Sequence, residues 1–350
     1  MKAYQIIKWG EAIEEREVSR PVPKGSEVLI RVTASGICHS DLHIRDGFFD
    51  LGDGKKISLE DRGIELPFTM GHEVLGEVVE LGAEASGVQI GEKRIIYPWI
   101  GCGDCDKCKR GDELLCMEPR TLGTRYTGGY AEFCLVPHSR YLIDFTGVNE
   151  AYAATCACSS LTAFSALKKL GAIHPDEWIM IIGAGGVGLS AVGLAKTLNK
   201  NNIVVADIDS NKRSAALTAG ANEVVNNAAK DSGKAIVNIT NGGPGAIIDF
   251  VGNPDSLKLA IQTAAKGAII VTVGLYGGAM KLSIPMLPLK MLKLVGSYVG
   301  SLEEMHELMK FIKTRKATPV PITRRPMREA PAALEDLRLG KTVGRFVLTN

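Results

Sequence analysis

The chain has 350 residues, of which 45% are hydrophobic and 23% charged, and its formal net charge is +2. That length suits about two domains. The near-neutral charge, with basic residues dispersed, excludes a large electrostatic footprint for nucleic acid. The longest apolar stretch, residues 178–189, is broken by four glycines and is too short to span a bilayer. Neither nucleic acid nor membrane is therefore expected as a partner. The N-terminal residues lack the apolar run of a secretory leader. Most of the eight cysteines read as metal ligands rather than bridges, so a reducing compartment, the cytoplasm, is expected.

Residues 27–34, 73–81, 93–98 and 132–137 are short apolar or alternating runs punctuated by Gly and Pro. They predict strands of a small Greek-key barrel or sandwich. Residues 50–61, charged and glycine-containing, predict a surface loop. Next comes CGDCDKCKRGDELLC, with Cys102, Cys105, Cys108 and Cys116 in the spacing C-x2-C-x2-C-x7-C. Four thiolates so close can surround one tetrahedral Zn²⁺. A disulfide is the bland alternative, and two-residue gaps suit it poorly; an Fe–S cluster also uses four cysteines. A closed all-sulfur site leaves no open position, so this lobe, about residues 101–117, is expected to be structural.

From about residue 158 the pattern changes. Strands are predicted at 178–182, 203–206, 246–251, 268–273 and 293–299, with helices at 189–198 and 211–219. Strands alternating with helices predict a parallel doubly wound sheet. Gly183-Ala184-Gly185-Gly186-Val187-Gly188 matches G-x-G-x-x-G between a predicted strand and a predicted helix, where the backbone can approach a pyrophosphate. Asp207 closes the next strand, 24 residues after Gly183. A carboxylate there accepts bonds from ribose hydroxyls and repels a 2′-phosphate, so NAD is expected over NADP. Lys212 could reach the same ribose. The tail, ending in residues 345–348, returns to β character and is expected to pack on the first domain.

Three further segments carry chemistry: GICHSD around Cys38, GHE around His72, and Cys158-Ser159-Ser160. Two thiols and an imidazole from distant segments can form an open zinc site. With the four-cysteine lobe and the glycine turn, these segments resemble the zinc-dependent medium-chain alcohol dehydrogenases over essentially the whole chain. The resemblance implies an α/β architecture: a GroES-like β-rich catalytic domain (1–157), a Rossmann NAD-binding domain (158–294) and a return segment (295–350).

It also implies roles. Cys38, His72 and Cys158 would hold the catalytic zinc, Cys156 being a rival for Cys158. Asp41 would orient His72, and Glu73 would approach the metal from behind. Ser40 and His43 would form the proton path. His39 and Arg345 would lie near the cofactor's pyrophosphate or ribose, and Val273 and Val299 near the nicotinamide carboxamide. Trp99, Phe49 and Leu122 would line a substrate pocket, favouring medium, cyclic or aromatic alcohols. The expected cofactors are NAD and two zinc ions per subunit. A polyol or cinnamyl-type dehydrogenase of the same superfamily is the nearest rival, and a non-catalytic cofactor-binding protein a remote one. Family analogy implies a homotetramer, a dimer of dimers. Residues 274–294 add an apolar edge in which Ser283-Ile284-Pro285 predicts an edge strand, and the Met and Leu run 286–294 reads as core or subunit interface.

Overall fold

The structure, a computed structural model, describes residues 1–198, 200–315 and 317–350. In chain order the first half contains β1 (Lys2–Ile6), β2 (Glu14–Glu17), β3 (Val28–Gly36), α1 (His39–Asp46), β4 (Phe48–Gly52), β5 (Lys55–Ser58), β6 (Phe68–Thr69), β7 (Glu73–Leu81), β8 (Lys93–Ile96), α2 (Asp106–Lys109), β9 (Phe133–Val136) and β10 (Leu142–Ile143). Then follow α3 (Glu150–Thr155), a π-helical turn (Cys156–Ser160) and α4 (Leu161–Lys169). The second half runs β11 (Ile179–Ile182), α5 (Gly186–Leu198), β12 (Ile203–Ala206), α6 (Ser210–Ala219), β13 (Glu223–Val225), α7 (Ser232–Ile239), β14 (Ala246–Asp249), α8 (Pro254–Thr263), β15 (Ile269–Thr272), α9 (Met286–Lys290) and β16 (Lys293–Gly296). It ends with α10 (Leu302–Arg315), β17 (Ile322–Pro326), α11 (Ala330–Arg338) and β18 (Arg345–Thr349).

The first half is built on a seven-stranded sheet in the order β10-β8-β7-β3-β18-β17, with β9 also on β3. The tail joins the first half as expected: Val347 pairs with Gly36, antiparallel. A smaller sheet, β2-β1-β6, lies beside it.

The second half is a six-stranded parallel sheet in the order β13-β12-β11-β14-β15-β16. Strand order reverses between β11 and β14, and in such sheets ligands bind in the crevice at that reversal. Every residue of β11, β12 and β14 is buried, which is why these strands read as continuous apolar runs. Among the described residues no helix is long and apolar enough to cross a membrane.

Four expectations are corrected. Residues 50–61 do not form a plain loop: β4 and β5 pair as a hairpin, Gly52 opposite Lys55. Its turn residues Asp53 and Gly54 have φ of 53° and 75°, the left-handed pair that Asp-Gly turns adopt to match strand twist. The short strands and the paired lysines of β5 masked it. Ser283-Ile284-Pro285 is not a strand. The segment turns into α9, and Pro285 sits in right-handed helical geometry at φ −58°, which suits proline at a helix entrance. The edge of the sheet is β16 instead. The run 286–294 is not core, because no residue of α9 is buried and Leu289, Met291 and Leu294 are exposed. The strand predicted to residue 299 stops at Gly296.

The expected domain boundary at 157/158 falls within the continuous helical run from α3 to α4, and that at 294/295 within β16. We propose the three-part division with those junctions.

Candidate active site and metal centres

Strand β3 ends at Gly36 and delivers Cys38 to the N-cap of α1. Asp41, at the third helical position, accepts the Cys38 backbone N–H at 2.8 Å through Oδ2, a reciprocal capping arrangement. The same oxygen accepts the Tyr130 hydroxyl at 2.8 Å. The other oxygen, Oδ1, lies 3.1 Å from His72 Nδ1, with both side chains fully buried. Strand β7 begins just after His72 and carries Glu73. Gly36 is required there, because a Cβ on it would overlap the Glu73 carboxylate.

Cys158 comes from the π-helical turn. Such a one-residue widening of a helix is frequent at functional sites. It brings Cys158 beside Cys38, His72 and Glu73, with one ligand atom of each within 4.8 Å of the others. Cys156 is outside this cluster; its thiol donates to the Tyr152 carbonyl at 3.4 Å.

The donor set fits a metal. Neither ring nitrogen of His72 has a hydrogen-bond partner, nor does Glu73 Oε2, although all are buried. Burial opposes a charged His72, but Asp41 outweighs it and holds the imidazole pKa well above its ordinary value. A hydrogen bond from Cys158 holds the Cys38 thiol well below its ordinary range, and the same bond raises Cys158. Two adjacent thiols and an imidazole are donors that a soft divalent cation prefers, its binding displacing the thiol protons. Burial pushes Glu73 up to about 7 against the pull of Arg345. Glu73 Oε1 accepts the Ser159 backbone N–H at 3.2 Å, and its carboxylate forms an ion pair with Arg345.

The four-cysteine lobe also fits. Cys102 Sγ lies 3.9 Å from Cys108 Sγ, and Cys105 Sγ 3.9 Å from Cys116 Sγ. Zn–S bonds of about 2.3 Å in a tetrahedron set sulfurs roughly 3.8 Å apart. Backbone N–H groups from Cys105 and Asp104 draw Cys102 down to about 6, while burial pushes Cys108 up to about 12. No disulfide joins any of the eight cysteines.

At the crevice, Gly183 has φ +90° and Gly188 sits where a Cβ would strike the Gly183 carbonyl. Helix α5 begins at Gly186, so its free N–H groups face the turn formed by Gly183, Gly185, Gly186, Val187 and Gly188. Asp207 closes β12 and braces this turn. It accepts the Ala184 N–H at 2.7 Å and the Asp209 N–H at 2.8 Å on separate oxygens. The Arg345 stem passes over Gly186, and its buried Nε lacks a hydrogen-bond partner. Glycines that leave room and a buried guanidinium with a free Nε–H fit a dinucleotide's phosphates.

Comparison with known proteins agrees with this geometry. The profile of the alcohol dehydrogenase GroES-like domain matches residues 24–145, and that of the zinc-binding dehydrogenases matches residues 186–314. NAD-dependent alcohol dehydrogenases from Sulfurisphaera tokodaii and Saccharolobus solfataricus are 36% and 35% identical, over 99% of this chain and 99% of theirs. The chain belongs to the zinc-binding alcohol dehydrogenase family. The solved alcohol dehydrogenase of Aeropyrum pernix has a TM-score of 0.91 at 27% identity, covering 100% of both chains. The D-arabinose dehydrogenase of Sulfolobus solfataricus has a TM-score of 0.84 at 27% identity, covering 100% of this chain and 99% of its own.

In this dehydrogenase the remaining expected residues fall as follows. Ser40 and His43 are both on α1, three residues apart. The His43 ring is 5.2 Å from Phe49 on the hairpin, and burial lowers its pKa. Crowding by protein likewise lowers His39. The Trp99 ring lies 5.4 Å from His72 and is fixed by its Nε1–H donating to the Ala157 carbonyl at 3.0 Å. Leu122 is buried, with its N–H on the Pro98 carbonyl at 3.0 Å. Lys212 lies in the first turn of α6, whose cap is Asp209. Val273 follows β15, and Val299 follows β16 at φ +41°.

Three residues escaped the sequence reading. Tyr130 shares Asp41, Tyr298 stands beside Trp99, and Glu113 ties the cysteine lobe to the barrel. Glu113 Oε2 accepts Gly101 N–H at 2.7 Å and the Tyr141 hydroxyl at 2.9 Å. Tyr130 and Tyr298 lie in no motif, Glu113 is one of the polar residues between the cysteines of the lobe, and the partners of all three are distant in sequence.

Proposed function

We propose that the chain reversibly oxidises primary or secondary alcohols to aldehydes or ketones, using NAD and zinc. When bound at Cys38, His72 and Cys158, zinc supplies a Lewis acid that lowers the alcohol's pKa, and NAD supplies the hydride acceptor. Asp41 holds His72 in one orientation and tautomer. Ser40 Oγ takes the alcohol's proton, and His43, kept neutral by burial, receives it at the outer end of the path. Glu73, held back by Arg345 and Ser159, stays behind the ligand set. Cys102, Cys105, Cys108 and Cys116 hold the structural ion.

The glycine turn and α5 hold the pyrophosphate, with His39 and Arg345 beside it. Asp207 and Lys212 bind the adenosine ribose and select NAD. Val273 and Val299 would lie near the nicotinamide carboxamide. Trp99, Phe49 and Leu122 form an apolar wall, which favours cyclic or aromatic alcohols over ethanol. The chain works in the cytoplasm as a homotetramer.

The observation that carries this reading is the buried cluster of Cys38, His72, Glu73 and Cys158 beneath an aromatic wall. The test is a panel of alcohols with NAD, followed by NADH absorbance, together with metal analysis. Turnover of cyclic or benzylic alcohols with two zincs per chain supports it. No NAD reduction by any alcohol, or a single zinc per chain, overturns it.

A further inference from the structure

Asp249 ends β14, between Ile182 of β11 and Thr272 of β15. Its side chain is fully buried. A carboxylate out of water is costly unless its oxygens are hydrogen-bonded, and here three donors meet it. Oδ1 accepts the Val251 N–H at 2.9 Å and the Gly252 N–H at 3.1 Å, and Oδ2 accepts the Ser256 hydroxyl at 2.7 Å. The Asp249 backbone carbonyl accepts the Val273 and Gly274 N–H groups at 2.9 and 3.1 Å. One residue thus holds the turns that leave two neighbouring strands. Those turns also bond each other: Tyr276 N–H donates to the Val251 carbonyl and Gly277 N–H to the Gly252 carbonyl, both at 3.2 Å. They approach so closely that a Cβ on Gly252, which has φ +70°, would lie 1.9 Å from the Gly274 carbonyl oxygen.

The place of these turns gives the network its use. They leave the carboxyl ends of β14 and β15, across the strand-order reversal from the glycine turn. In a doubly wound sheet a dinucleotide crosses the crevice, one nucleotide over each half. Asp207 and β12 belong to the adenosine half, so the turns held by Asp249 lie in the nicotinamide half. They also touch the phosphate cradle. A Cβ on Gly183 would lie 2.8 Å from Val251 Cγ2, and Phe250 N–H donates to the Ile182 carbonyl at 2.9 Å. A cofactor that runs from the glycine turn across the reversal meets Val251 and Gly252 first, then Val273 and Gly274.

We infer that Asp249 is a positioning residue for the nicotinamide half of the cofactor. Buried beneath the turns, it acts through the backbone of residues 251–252 and 273–274, the floor under the nicotinamide ribose and ring. This rests on the NAD reading and goes beyond it, since the ligand clusters and the proton path do not use Asp249. Without its side chain two backbone N–H groups lose their acceptor and the first turn loosens from the second. The glycine turn and Asp207 keep their own bonds, so the adenosine half is spared.

The test measures binding rather than turnover. Dissociation constants for NADH and for ADP-ribose, which lacks the nicotinamide, are taken by calorimetry on wild type, Asp249→Ala and Asp249→Asn. The readout is the ratio of the two constants, which partial misfolding leaves unmoved. In Asp249→Ala NADH is expected to weaken about tenfold, the size of one hydrogen bond, with ADP-ribose held within about twofold. Asp249→Asn keeps an oxygen for the Val251 and Gly252 N–H groups and turns its amide to the Ser256 hydroxyl. Its ratio is expected within about threefold of wild type. Equal weakening of both ligands in Asp249→Ala, or of neither, overturns the inference, as does an Asn variant as impaired as the Ala variant. Should Asp249→Ala fail to fold, Gly252→Ala, whose Cβ would force the two turns apart, decides by the same ratio. A wild-type protein that binds neither ligand overturns the NAD reading itself, and this inference with it.

Discussion

Asp41 Oδ1 sits 3.1 Å from His72 Nδ1 at a point where neither residue touches water, while Asp41 Oδ2 already accepts two donors, Cys38 N–H and Tyr130 O–H. One oxygen of this carboxylate is therefore occupied, and the other faces the imidazole. In Asp41→Asn the single oxygen keeps those two donors, and the amide NH₂ is turned on His72. Two N–H groups then face each other, or the imidazole adopts the wrong tautomer. Zinc affinity at this site is expected to fall about 10- to 100-fold, read by competition with a chromophoric chelator. Unchanged affinity would show that Asp41 serves only as the helix cap.

The two thiols of the π-helical turn separate by role. Cys158→Ser is expected to abolish turnover, with the variant still folded and still enhancing NADH fluorescence. Cys156→Ser, which removes only a 3.4 Å contact to a carbonyl, is expected to stay within a few-fold of wild type. The reverse pattern would make Cys156 the ligand.

The lobe should answer to stability and not to chemistry. Cys105→Ser breaks a four-sulfur set and frees the charged loop between its ends. One zinc should be lost per chain, and Tm should drop by about 5 to 10 °C, the size of a loss of roughly 2 to 3 kcal/mol. Zinc content by mass spectrometry and a thermal melt together decide it. A normal melt with one zinc missing would mean that the lobe holds its shape without metal.

Asp207 braces the glycine turn and, on the function proposed above, faces the adenosine ribose, which predicts an asymmetric result. Its negative charge disfavours a 2′-phosphate, so kcat/KM with NAD should exceed that with NADP. Asp207→Gly should narrow the gap mainly by damaging NAD use, because the Ala184 and Asp209 N–H groups also lose their acceptor. A wild-type preference for NADP would reject the assignment.

Assembly follows from an uncovered edge. Beyond β15, strand β16 ends the sheet, and Tyr276, Ile284, Leu289, Met291 and Leu294 are exposed around it. An open strand edge beside apolar side chains invites pairing with its own copy across a two-fold axis. Light scattering is expected to give four times the 37.4 kDa chain mass. A monomer would refute the pairing, and a stable dimer only its doubling.

The sequence by itself determined whatever depends on neighbours along the chain. The strand–glycine turn–helix unit at Gly183, the acid closing β12, the four-cysteine spacing and the parallel strands with their unbroken apolar runs were all legible, because local periodicity and loop chemistry dictate them. The ligand segments around Cys38, His72 and Cys158 were legible as motifs. Only folding brings them within 4.8 Å and leaves Cys156 outside, because the π-helical turn decides which thiol faces the cluster.

The Asp53-Gly54 hairpin was readable in principle, but its short strands and the paired lysines of β5 hid it. Ser283 to Pro285 looked like an edge strand because strand and helix entrance both tolerate proline, and tertiary packing selected the helix. Tyr130 and Tyr298 could not be found at all, and Glu113, though inside the four-cysteine segment, carries no signal of its role there. Their roles rest on partners far along the chain, Asp41 for Tyr130, Gly101 and Tyr141 for Glu113, and Trp99 for Tyr298. A hydrogen bond or ring contact between distant residues leaves no period in the sequence for a reader to find.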